Sequence, residues 1–474
     1  MPVGNISNNV SRVTNALVSR NLRAEDLQQV AKKVVRRGVY EEEARRKREE
    51  AQTAQGMAAV ALSANPINQR MQNVQQEKPK RMSIYKALDM KHQILDMHYT
   101  SKEFKAKSLS KKLIDALDET QPEETRCIAL DTLGWIYKKS WADFNQSGLL
   151  KDKLVAALDS QSDDVRIRAL ETLGSIYEKS GADFNQSGLI DKLGAALDET
   201  QSDDVRQEAL KTLGRIYEKS GADFNQRDLL KNKLGTALDK TQPKDVRSEA
   251  LRTLGCIYFE NPKEFKASGL IDKLGTALNK TQSDDIRQEA LRTLGLIYRN
   301  SGADFNQNSL LKNKLGDALD KTQHEDIRSE ALYILRQIYL NNSQEFIKSD
   351  FKDKLGEALD KTQHEDIRSE ALKTLGFIYE NSGADFNKSG LLKNKLGEAL
   401  DSQHKDIRSG ALYTLSQIYL NNSQEFIKSD FKDKLGEALD KTQPGNIRYL
   451  ALYILGRIYS QQPQDFYNSE FRDK

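Results

Sequence analysis

Apolar residues recur along most of the chain at the spacing of one helical face, in blocks separated by short polar segments. The stretch LLKNKLGEALD at Leu391–Asp401 carries its leucines and its alanine at such positions, which predicts an amphipathic helix. A second kind of block, DDVRQEALKTLGRIYEKS at 203–220, has a broader apolar face that includes Val205, Leu213 and Tyr217. A face this broad predicts burial against both the partner helix and neighbouring units.

This pair of helices repeats along the chain. One leucine, in the sequence KL[GV]xAL or the related KLIDAL, marks each copy, and successive copies lie 39 to 41 residues apart. The marker leucines are Leu113, Leu154, Leu193, Leu234, Leu274, Leu315, Leu355, Leu396 and Leu435. One unit cannot bury its own apolar face, so the units must stack on each other. The period therefore predicts an all-α solenoid of about nine repeats of roughly 40 residues.

Aromatic residues recur with the same period. The linker GADFN or SQEFIK carries one phenylalanine in each unit, namely Phe144, Phe184, Phe224, Phe265, Phe305, Phe346, Phe386, Phe426 and Phe466. The second helix carries one tyrosine, namely Tyr137, Tyr177, Tyr217, Tyr258, Tyr298, Tyr339, Tyr379, Tyr419 and Tyr459. A ladder that stacks nucleic-acid bases is one interpretation. Their presence in every unit, beside isoleucine on the apolar face, favours packing residues instead.

The run L-x-x-x-L-D followed by D-[VI]-R-x-x-A-L-x-x-L-G-x-I resembles the HEAT repeat of armadillo-like solenoids. In the third unit the matching residues are Asp204, Val205, Arg206, Ala209, Leu213 and Gly214. The resemblance covers about three quarters of the chain. It implies a right-handed α-α superhelical solenoid whose second helices line the concave surface, where partners usually bind.

The HEAT resemblance also implies an Asp/Arg ladder between successive units. Its arginines are Arg126, Arg166, Arg206, Arg247, Arg287, Arg328, Arg368, Arg408 and Arg448. The linker that carries the phenylalanine is longer than HEAT loops usually are. The stretch ALKTLGRIYEKSG also resembles the first helix of a Sel1 or tetratricopeptide repeat. The second-helix signature of those families is missing, and the 34-residue tetratricopeptide period differs from the one found.

Charge divides the chain into two regions. Residues 1–80 carry 14 Lys and Arg against 8 Asp and Glu, a net charge of +6, whereas the rest carries 59 against 62, a net charge of −3. We therefore expect a basic N-terminal arm at 1–82, partly helical or disordered and ending in a linker, and a HEAT-like solenoid at 83–474. Within that solenoid, residues 83–108 form a half-repeat cap and 109–474 the nine repeats.

No catalytic motif stands out in the chain. There is no Gly-rich phosphate loop, nucleophile elbow, HExxH or CxxC, and the only two cysteines lie far apart. The triplet His-Glu-Asp at His324 and His364 could suggest a metal or acid–base site, but the equivalent position is Pro or Ser in other units. Pro, Ser and acidic residues are typical of helix starts. We expect a non-enzymatic protein without a cofactor or bound metal.

Three positions of the second helix, at i, i+4 and i+7, vary while the residues around them repeat. Duplicated units diverge freely only where packing does not hold them, so these positions are predicted to face solvent. Their side chains are basic in the middle repeats and aromatic or aliphatic in the later ones. The candidate partner-binding residues are Lys211, Arg215, Arg252, Arg292, Arg299, Tyr333, Leu340, Phe377, Tyr413, Leu420 and Tyr453.

These features lead to two functional hypotheses. The first is a scaffold or adaptor that binds a protein partner along the concave surface, with the basic residues attracting an acidic segment. The alternative is nucleic-acid binding, in which those residues contact the phosphate backbone. We expect a cytoplasmic protein, because no stretch of about 18 apolar residues could span a membrane. The start of the chain, Asn5–Ser11, resembles the N-terminal signals of bacterial proteins injected into host cells.

Overall fold

The computed structural model describes residues 109–138, 141–420, 422–460, 462–467, 469 and 471. The predicted N-terminal arm (1–82) and half-repeat cap (83–108) lie outside these residues. Within the described ranges the chain forms 27 α-helices and no β-strand. Nine repeats stack in chain order on one continuous hydrophobic core, which confirms the predicted all-α solenoid.

Each repeat contains three helices rather than the predicted two. The first helices are α1 (Leu109–Ala116), α4 (Gly148–Leu158), α7 (Ile190–Ala196), α10 (Asp228–Ala237), α13 (Ile271–Ala277), α16 (Ser309–Leu319), α19 (Phe351–Ala358), α22 (Gly390–Leu400) and α25 (Phe431–Leu439). The second helices are α2 (Glu123–Tyr137), α5 (Asp163–Ile176), α8 (Asp203–Ile216), α11 (Lys244–Ile257), α14 (Asp284–Ile297), α17 (Glu325–Ile338), α20 (Glu365–Ile378), α23 (Lys405–Ile418) and α26 (Gly445–Tyr459). The third helices are α3 (Trp141–Asn145), α6 (Gly181–Asn185), α9 (Gly221–Asn225), α12 (Pro262–Ser268), α15 (Gly302–Asn306), α18 (Ser343–Ile347), α21 (Gly383–Asn387), α24 (Ser423–Ile427) and α27 (Pro463–Tyr467).

The third helices occupy the segments that the sequence pattern assigns to a linker. Apart from α12, each is five residues long, which is too short to show a helical period. Local caps and tertiary contacts fix them. In α18 the side chain of Asn342 accepts a hydrogen bond from the backbone N–H of Glu345 at 3.3 Å, and Phe346 is fully buried. The short third helix therefore forms where the linker phenylalanine is buried in the core.

The repeated tyrosines and linker phenylalanines form one aromatic row through the core, as predicted. Phe184, for example, lies between Tyr177 and Tyr217, with ring centroids 5.3 and 6.1 Å away in edge-to-face contacts. All nine tyrosines are buried, and among the phenylalanines only Phe466 is partly exposed. Burial raises the pKa of Tyr177 to about 12. Such a row cannot stack bases, because its rings contact each other and not solvent.

The tyrosine hydroxyls join successive repeats. The Tyr217 hydroxyl donates to Oδ1 of Asn185 in the preceding repeat at 2.5 Å, and Asn185 Nδ2 donates to the carbonyl oxygen of Asp223 at 3.2 Å. The same Tyr–Asn contact joins Tyr177 to Asn145, Tyr258 to Asn225, Tyr339 to Asn306 and Tyr419 to Asn387. The asparagine that ends GADFN is therefore a structural residue, because it satisfies buried polar groups of the next repeat.

The arginine ladder implied by the HEAT resemblance is present, but glutamine takes the place of aspartate between the units. Arg206 is buried, and its Nη2 donates to Gln242 Oε1 of the next repeat at 2.5 Å. Asp203 contacts Arg206 within the same helix, at 3.5 Å. Glutamine accepts equally from Arg247, Arg287, Arg328 and Arg408. For these arginines the implied Asp/Arg pairing between units is therefore wrong, because a glutamine of the next repeat lies within hydrogen-bond distance of each guanidinium.

The His-Glu-Asp triplets begin second helices, as predicted. His324 is the N-cap of α17, and its Nδ1 accepts a hydrogen bond from the Asp326 backbone N–H at 3.4 Å. His364 caps α20 in the same way. In the third repeat Ser202 has this role and accepts from the Val205 N–H at 3.5 Å. The position is a cap whose side chain can vary as long as the helix start is satisfied.

Successive second helices pack closely on each other. Thr212 Oγ1 donates to the Leu170 carbonyl oxygen of the preceding repeat at 2.9 Å. A glycine on the preceding second helix faces this threonine and allows the approach; at the equivalent contact one repeat earlier, a Cβ at Gly134 would lie 3.3 Å from the Thr172 Cα. Second helices contact each other more extensively than first helices do. This is the arrangement expected on the inner side of a curved array.

Candidate partner-binding surface

The three variable positions of the second helices lie on one side of the array, and we call their side chains the second-helix face. The predicted residues that are exposed there are Lys211, Arg215, Arg252, Arg292, Tyr333, Tyr413 and Tyr453. Those that are partly exposed are Arg299, Leu340, Phe377 and Leu420. All the candidate residues therefore reach the surface, and they follow the array from repeat 3 to repeat 9.

One variable position outside the candidate set departs from the pattern. Gln417 is only 4% exposed and lies in the slot that Gly376 leaves on the preceding second helix. A Cβ at Gly376 would collide with the Gln417 amide. Variation along the chain therefore does not by itself guarantee exposure, because a glycine one repeat away can bury a long side chain.

The basic part of the face is formed by Lys211, Arg215, Arg252, Arg292 and Arg299, and most of its charge is paired. Arg252 lies 3.3 Å from Glu249 and 3.3 Å from Glu289 of the next repeat, and Arg292 lies 3.4 Å from Glu330. Lys211 contacts Glu208 at 3.1 Å, and Arg299 contacts Glu260 at 3.8 Å. Among these five residues, only Arg215 has no carboxylate of the described part of the chain within 4.0 Å. The basic part is therefore close to neutral locally.

A row of glutamates that the sequence-based prediction missed supplies much of this pairing. The row consists of Glu208, Glu249, Glu289, Glu330 and Glu370. Glu208 is 5% exposed, and burial raises the pKa of its carboxyl group, while the contact with Lys211 opposes that shift. The signal was visible in the sequence, because a glutamate recurs three residues before the first variable position in repeats 3 to 7.

The aromatic part of the face consists of Tyr333, Leu340, Phe377, Tyr413, Leu420 and Tyr453. Tyr333, Tyr413 and Tyr453 are 40%, 44% and 51% exposed. In repeats 8 and 9 the glutamate of the row is replaced by Gly410 and Leu450. The surface around the last two tyrosines therefore lacks that acidic side chain and presents apolar area to solvent.

Two adjacent depressions of about 590 Å³ each lie where the basic and aromatic parts meet. Both are lined by Arg292, Glu330 and Tyr333. One extends towards Arg299 of repeat 5, and the other towards Arg336 of repeat 6. The candidate residues of repeats 5 and 6 therefore form one concave site, to which the sequence-based prediction did not assign Arg336.

Arg336 contacts two of the predicted aromatic residues. Its guanidinium carbon lies 4.7 Å from the ring centroid of Tyr333 and 4.8 Å from that of Phe377 in the next repeat. Contacts of this kind between a cation and an aromatic ring are attractive. The two rings and the arginine therefore hold each other in place.

The described residues contain no cluster of three or more His, Cys, Asp or Glu side chains that could hold a metal ion. In the same part of the chain, every helix is too short or too polar to cross a membrane.

Comparison with known proteins agrees with the architecture. A sequence model of HEAT repeats matches residues 151–224, which cover the second and most of the third repeat. The array is a HEAT-repeat α-solenoid. The HEAT assignment, rather than Sel1 or tetratricopeptide repeats, is thus confirmed. Among curated proteins, none matches this sequence.

Solved structures share the fold. The structure of Kap95p with RanGDP aligns with a TM-score of 0.58 and 14% identity, over 82% of this chain and 52% of Kap95p. The Kap95–Nup1 complex gives a TM-score of 0.57 and 15% identity, over 82% and 52% of the two chains. The karyopherin Kap121p, bound to the extreme C-terminus of the phosphatase Cdc14p, gives 0.57 and 14%, over 81% and 41%. This HEAT solenoid therefore spans about half or less of these chains, and identities this low establish the fold alone.

Proposed function

We propose that this HEAT solenoid is a non-enzymatic scaffold that binds a protein partner along the second-helix face. The observation that carries the proposal is the exposure of Tyr333, Tyr413 and Tyr453 on one face of a regularly repeated array. Tyrosine is enriched among the residues that dominate binding energy at interfaces, because it supplies a large apolar area and a polar tip. Leu340, Phe377 and Leu420 lie beside these tyrosines and extend the apolar surface.

The fold supports a protein partner. Kap121p is bound to a C-terminal segment of Cdc14p in its structure, and Kap95p is in complex with Nup1 in another. A solenoid of this kind offers a long surface on rigid helices, which suits a partner that contacts several repeats in succession. We extend protein binding to this chain on the strength of its exposed aromatic residues.

Binding of the nucleic-acid backbone is the less favoured function. Affinity for phosphates depends on cations that can replace counterions along the nucleic acid. Here Lys211, Arg252, Arg292 and Arg299 already have carboxylate neighbours at 3.1 to 3.8 Å. A phosphate chain would have to displace or approach those carboxylates, and this repulsion opposes binding.

The test is affinity capture from a lysate of the native host, followed by mass spectrometry. The double variant Tyr413→Ala, Tyr453→Ala should lose the partner that the parent protein retains. The matched control is Ile347→Ala, Ile427→Ala, which removes side chains of similar exposure, 42% and 39%, from the third helices. If the tyrosine variant still retains the partner, or if both variants lose it, the second-helix face is not the binding surface.

The proposed setting is the cytoplasm, and injection into a host cell by a bacterium is the specific case suggested by the start of the chain. Fusion of residues 1–80 to a translocation reporter tests the second idea. Delivery of the reporter into host cells would support it, and retention in the bacterium would show that the arm has another role.

A further inference from the structure

One residue beside the second-helix face departs strongly from the repeat pattern. The position two residues beyond the inter-helix threonine, which is isoleucine in repeats 6 and 9, is glycine in seven of the nine repeats. These residues are Gly134, Gly174, Gly214, Gly255, Gly295, Gly376 and Gly456. Repeat 8 has the small Ser416 there, whereas repeat 6 has Arg336. Repeat 6 therefore carries an arginine at a position where the other eight repeats carry glycine or serine.

The room at this position differs between repeats. A Cβ at Gly295 would lie 2.7 Å from Ile334 Cδ1, whose side-chain end would have to move, whereas a Cβ at Gly214 would have its nearest neighbour, the Thr253 Cα, at 3.6 Å. The Arg336 side chain lines the depression beside Tyr333 and contacts Phe377 of the next second helix. A long charged side chain that lines a concave site, at a position where most repeats carry glycine, is a candidate for function.

The guanidinium of Arg336 is oriented but not satisfied. The rings of Tyr333 and Phe377 contact it, and only 15% of the side chain is exposed. Its nearest carboxylate oxygen, Glu370 Oε1, lies 3.7 Å away, which is too far for a hydrogen bond. None of the residues that the structure describes accepts a hydrogen bond from Arg336. The planar donor group is therefore held in place with its N–H groups available.

Neighbouring cations of this site are better neutralised. Arg292 lies 3.4 Å from Glu330, and Lys373 lies 3.2 Å from Glu370 Oε2. The contact of Arg336 with Glu370 is the longest of the three. An incoming anion should therefore be attracted most strongly to Arg336, because this cation shares its only carboxylate neighbour with Lys373.

We propose that Arg336 receives a carboxylate side chain, Asp or Glu, of the protein partner, in a bidentate contact supported by the rings of Tyr333 and Phe377. A guanidinium whose plane is fixed by aromatic rings presents two parallel donors to a carboxylate and loses little side-chain entropy on binding. This inference rests on the proposed function and specifies it: the acidic segment of the partner is recognised at repeat 6 rather than by the basic part of the face.

The experiment uses a phage library of random dodecapeptides, selected on the full chain and counter-selected on Arg336→Gly. Glycine is the residue that most repeats carry at this position, so this variant should fold, which circular dichroism and thermal melting check. Selection on the parent chain should enrich peptides with Asp or Glu at one invariant position. The best peptide is then synthesised with that residue and with its amide counterpart, and affinities are measured by fluorescence anisotropy.

Three variants and one control test whether the affinity for the acidic peptide changes in the expected direction. Arg336→Gly should lower the affinity for the acidic peptide by about tenfold or more, the range expected for a lost hydrogen-bonded ion pair. Arg336→Lys should weaken it less, because the charge stays while the planar donor pair is lost. Glu370→Gln should strengthen it, because a competing carboxylate disappears. The control Lys388→Ala removes a cation at the end of the third helix of repeat 7, where its side chain is 76% exposed, and should leave the affinity unchanged.

The inference is wrong if the library yields no acidic peptide that depends on Arg336, or if the amide counterpart binds as tightly as the acid. It is also wrong if Lys388→Ala weakens binding as much as Arg336→Gly does, since general charge would then explain the effect. If the tyrosine variant (Tyr413→Ala, Tyr453→Ala) loses the cellular partner and Arg336→Gly keeps it, this inference is wrong and the proposed function stands. If both variants keep the partner, both the inference and the proposed function are wrong.

Discussion

The basic and aromatic parts of the second-helix face are built on the same repeated helix, yet they present different surfaces. In repeats 3 to 5 Lys211, Arg252 and Arg292 lie beside glutamates of their own helix or of the next repeat. In repeats 8 and 9 these glutamates are gone, and Tyr413 and Tyr453 project with nearly half of their surface in solvent. Exposed charge is therefore mostly used within the protein, whereas exposed aromatic area is left for a partner.

The difference follows from what each side chain can find within one array. A basic side chain can reach a carboxylate three residues away on its helix or one repeat away, and such pairs form wherever the sequence supplies both signs. An exposed tyrosine finds only a cation over one face of its ring, as Tyr333 does with Arg336, because the apolar groups of neighbouring repeats are already buried in the core. Repetition thus neutralises most charges and leaves apolar area of the tyrosines exposed.

The first prediction compares two tyrosines of repeat 8 that lie six positions apart. Tyr419 is fully buried in the aromatic row, so Tyr419→Ala should lower the free energy of unfolding by about 3–5 kcal/mol. Tyr413 is 44% exposed, and Tyr413→Ala should change the free energy of unfolding by no more than about 0.5 kcal/mol. Urea denaturation followed by circular dichroism measures both. Equal losses would mean that Tyr413 is a packing residue and not a surface anchor.

The second prediction places binding energy in the aromatic part. Tyr413→Ala with Tyr453→Ala should weaken the binding free energy of the captured partner by about 2 kcal/mol or more, as for central interface residues. Arg252→Ala with Arg292→Ala should weaken it less, because those arginines are already paired. Isothermal titration with the identified partner measures the difference. A larger effect of the arginine variant would reverse the proposed roles of the two parts.

The third prediction removes the pairing. Glu249→Gln, Glu289→Gln and Glu330→Gln together should free Arg252 and Arg292, so that duplex DNA is retained at low salt with a steep loss as salt rises. The parent chain should show much weaker retention in the same filter-binding titration. Glu357→Gln, Glu398→Gln and Glu437→Gln, on first helices, remove the same number of carboxylates from another surface and serve as the control. Strong binding by the parent chain would favour the nucleic-acid alternative.

The smallest expected effect is on stability and concerns the Lys–Asp contacts between successive repeats. A lysine of the first helix contacts an aspartate of the preceding repeat in repeats 2 to 5 and 7 to 9, as Lys153 does with Asp118 at 2.7 Å, but repeat 5 has Asn279 at the aspartate position that would face repeat 6. Asn279→Asp should add a contact with Lys314 and about 0.2–1 kcal/mol of stability. Thermal or urea denaturation at neutral pH measures this gain.

The gain should depend on pH with a defined sign. The hydrogen bond from Lys153, together with those from Thr120, lowers the pKa of Asp118 to about 2, below its value in the unfolded chain. A carboxyl group whose pKa is lowered by folding stabilises the protein above the unfolded pKa, and this contribution disappears as pH falls through the folded value. The advantage of Asn279→Asp should therefore shrink from about pH 4 and vanish near pH 2. A gain that persists in acid would show that the pair is not its source.

The sequence alone determined the repeat, its nine copies, the two longer helices, the helix starts at His324 and His364, and the burial of the repeated tyrosines. These features depend on the local pattern of apolar and polar residues, which the chain carries in full. The exposure of the variable positions was predictable for the same reason. Gln417 is the exception, because its burial depends on Gly376 one repeat away.

Only the tertiary structure decided which residues meet across repeats. It showed the third helix, the glutamine that pairs with Arg206, the glutamates that neutralise Arg252, and the contact of Arg336 with Phe377. Most of these partners lie 35 to 41 residues apart in the chain and come together only through the angle and spacing at which second helices stack. A local pattern carries no information on that angle, and so the surface that this protein offers to a partner becomes visible only once the repeats are assembled.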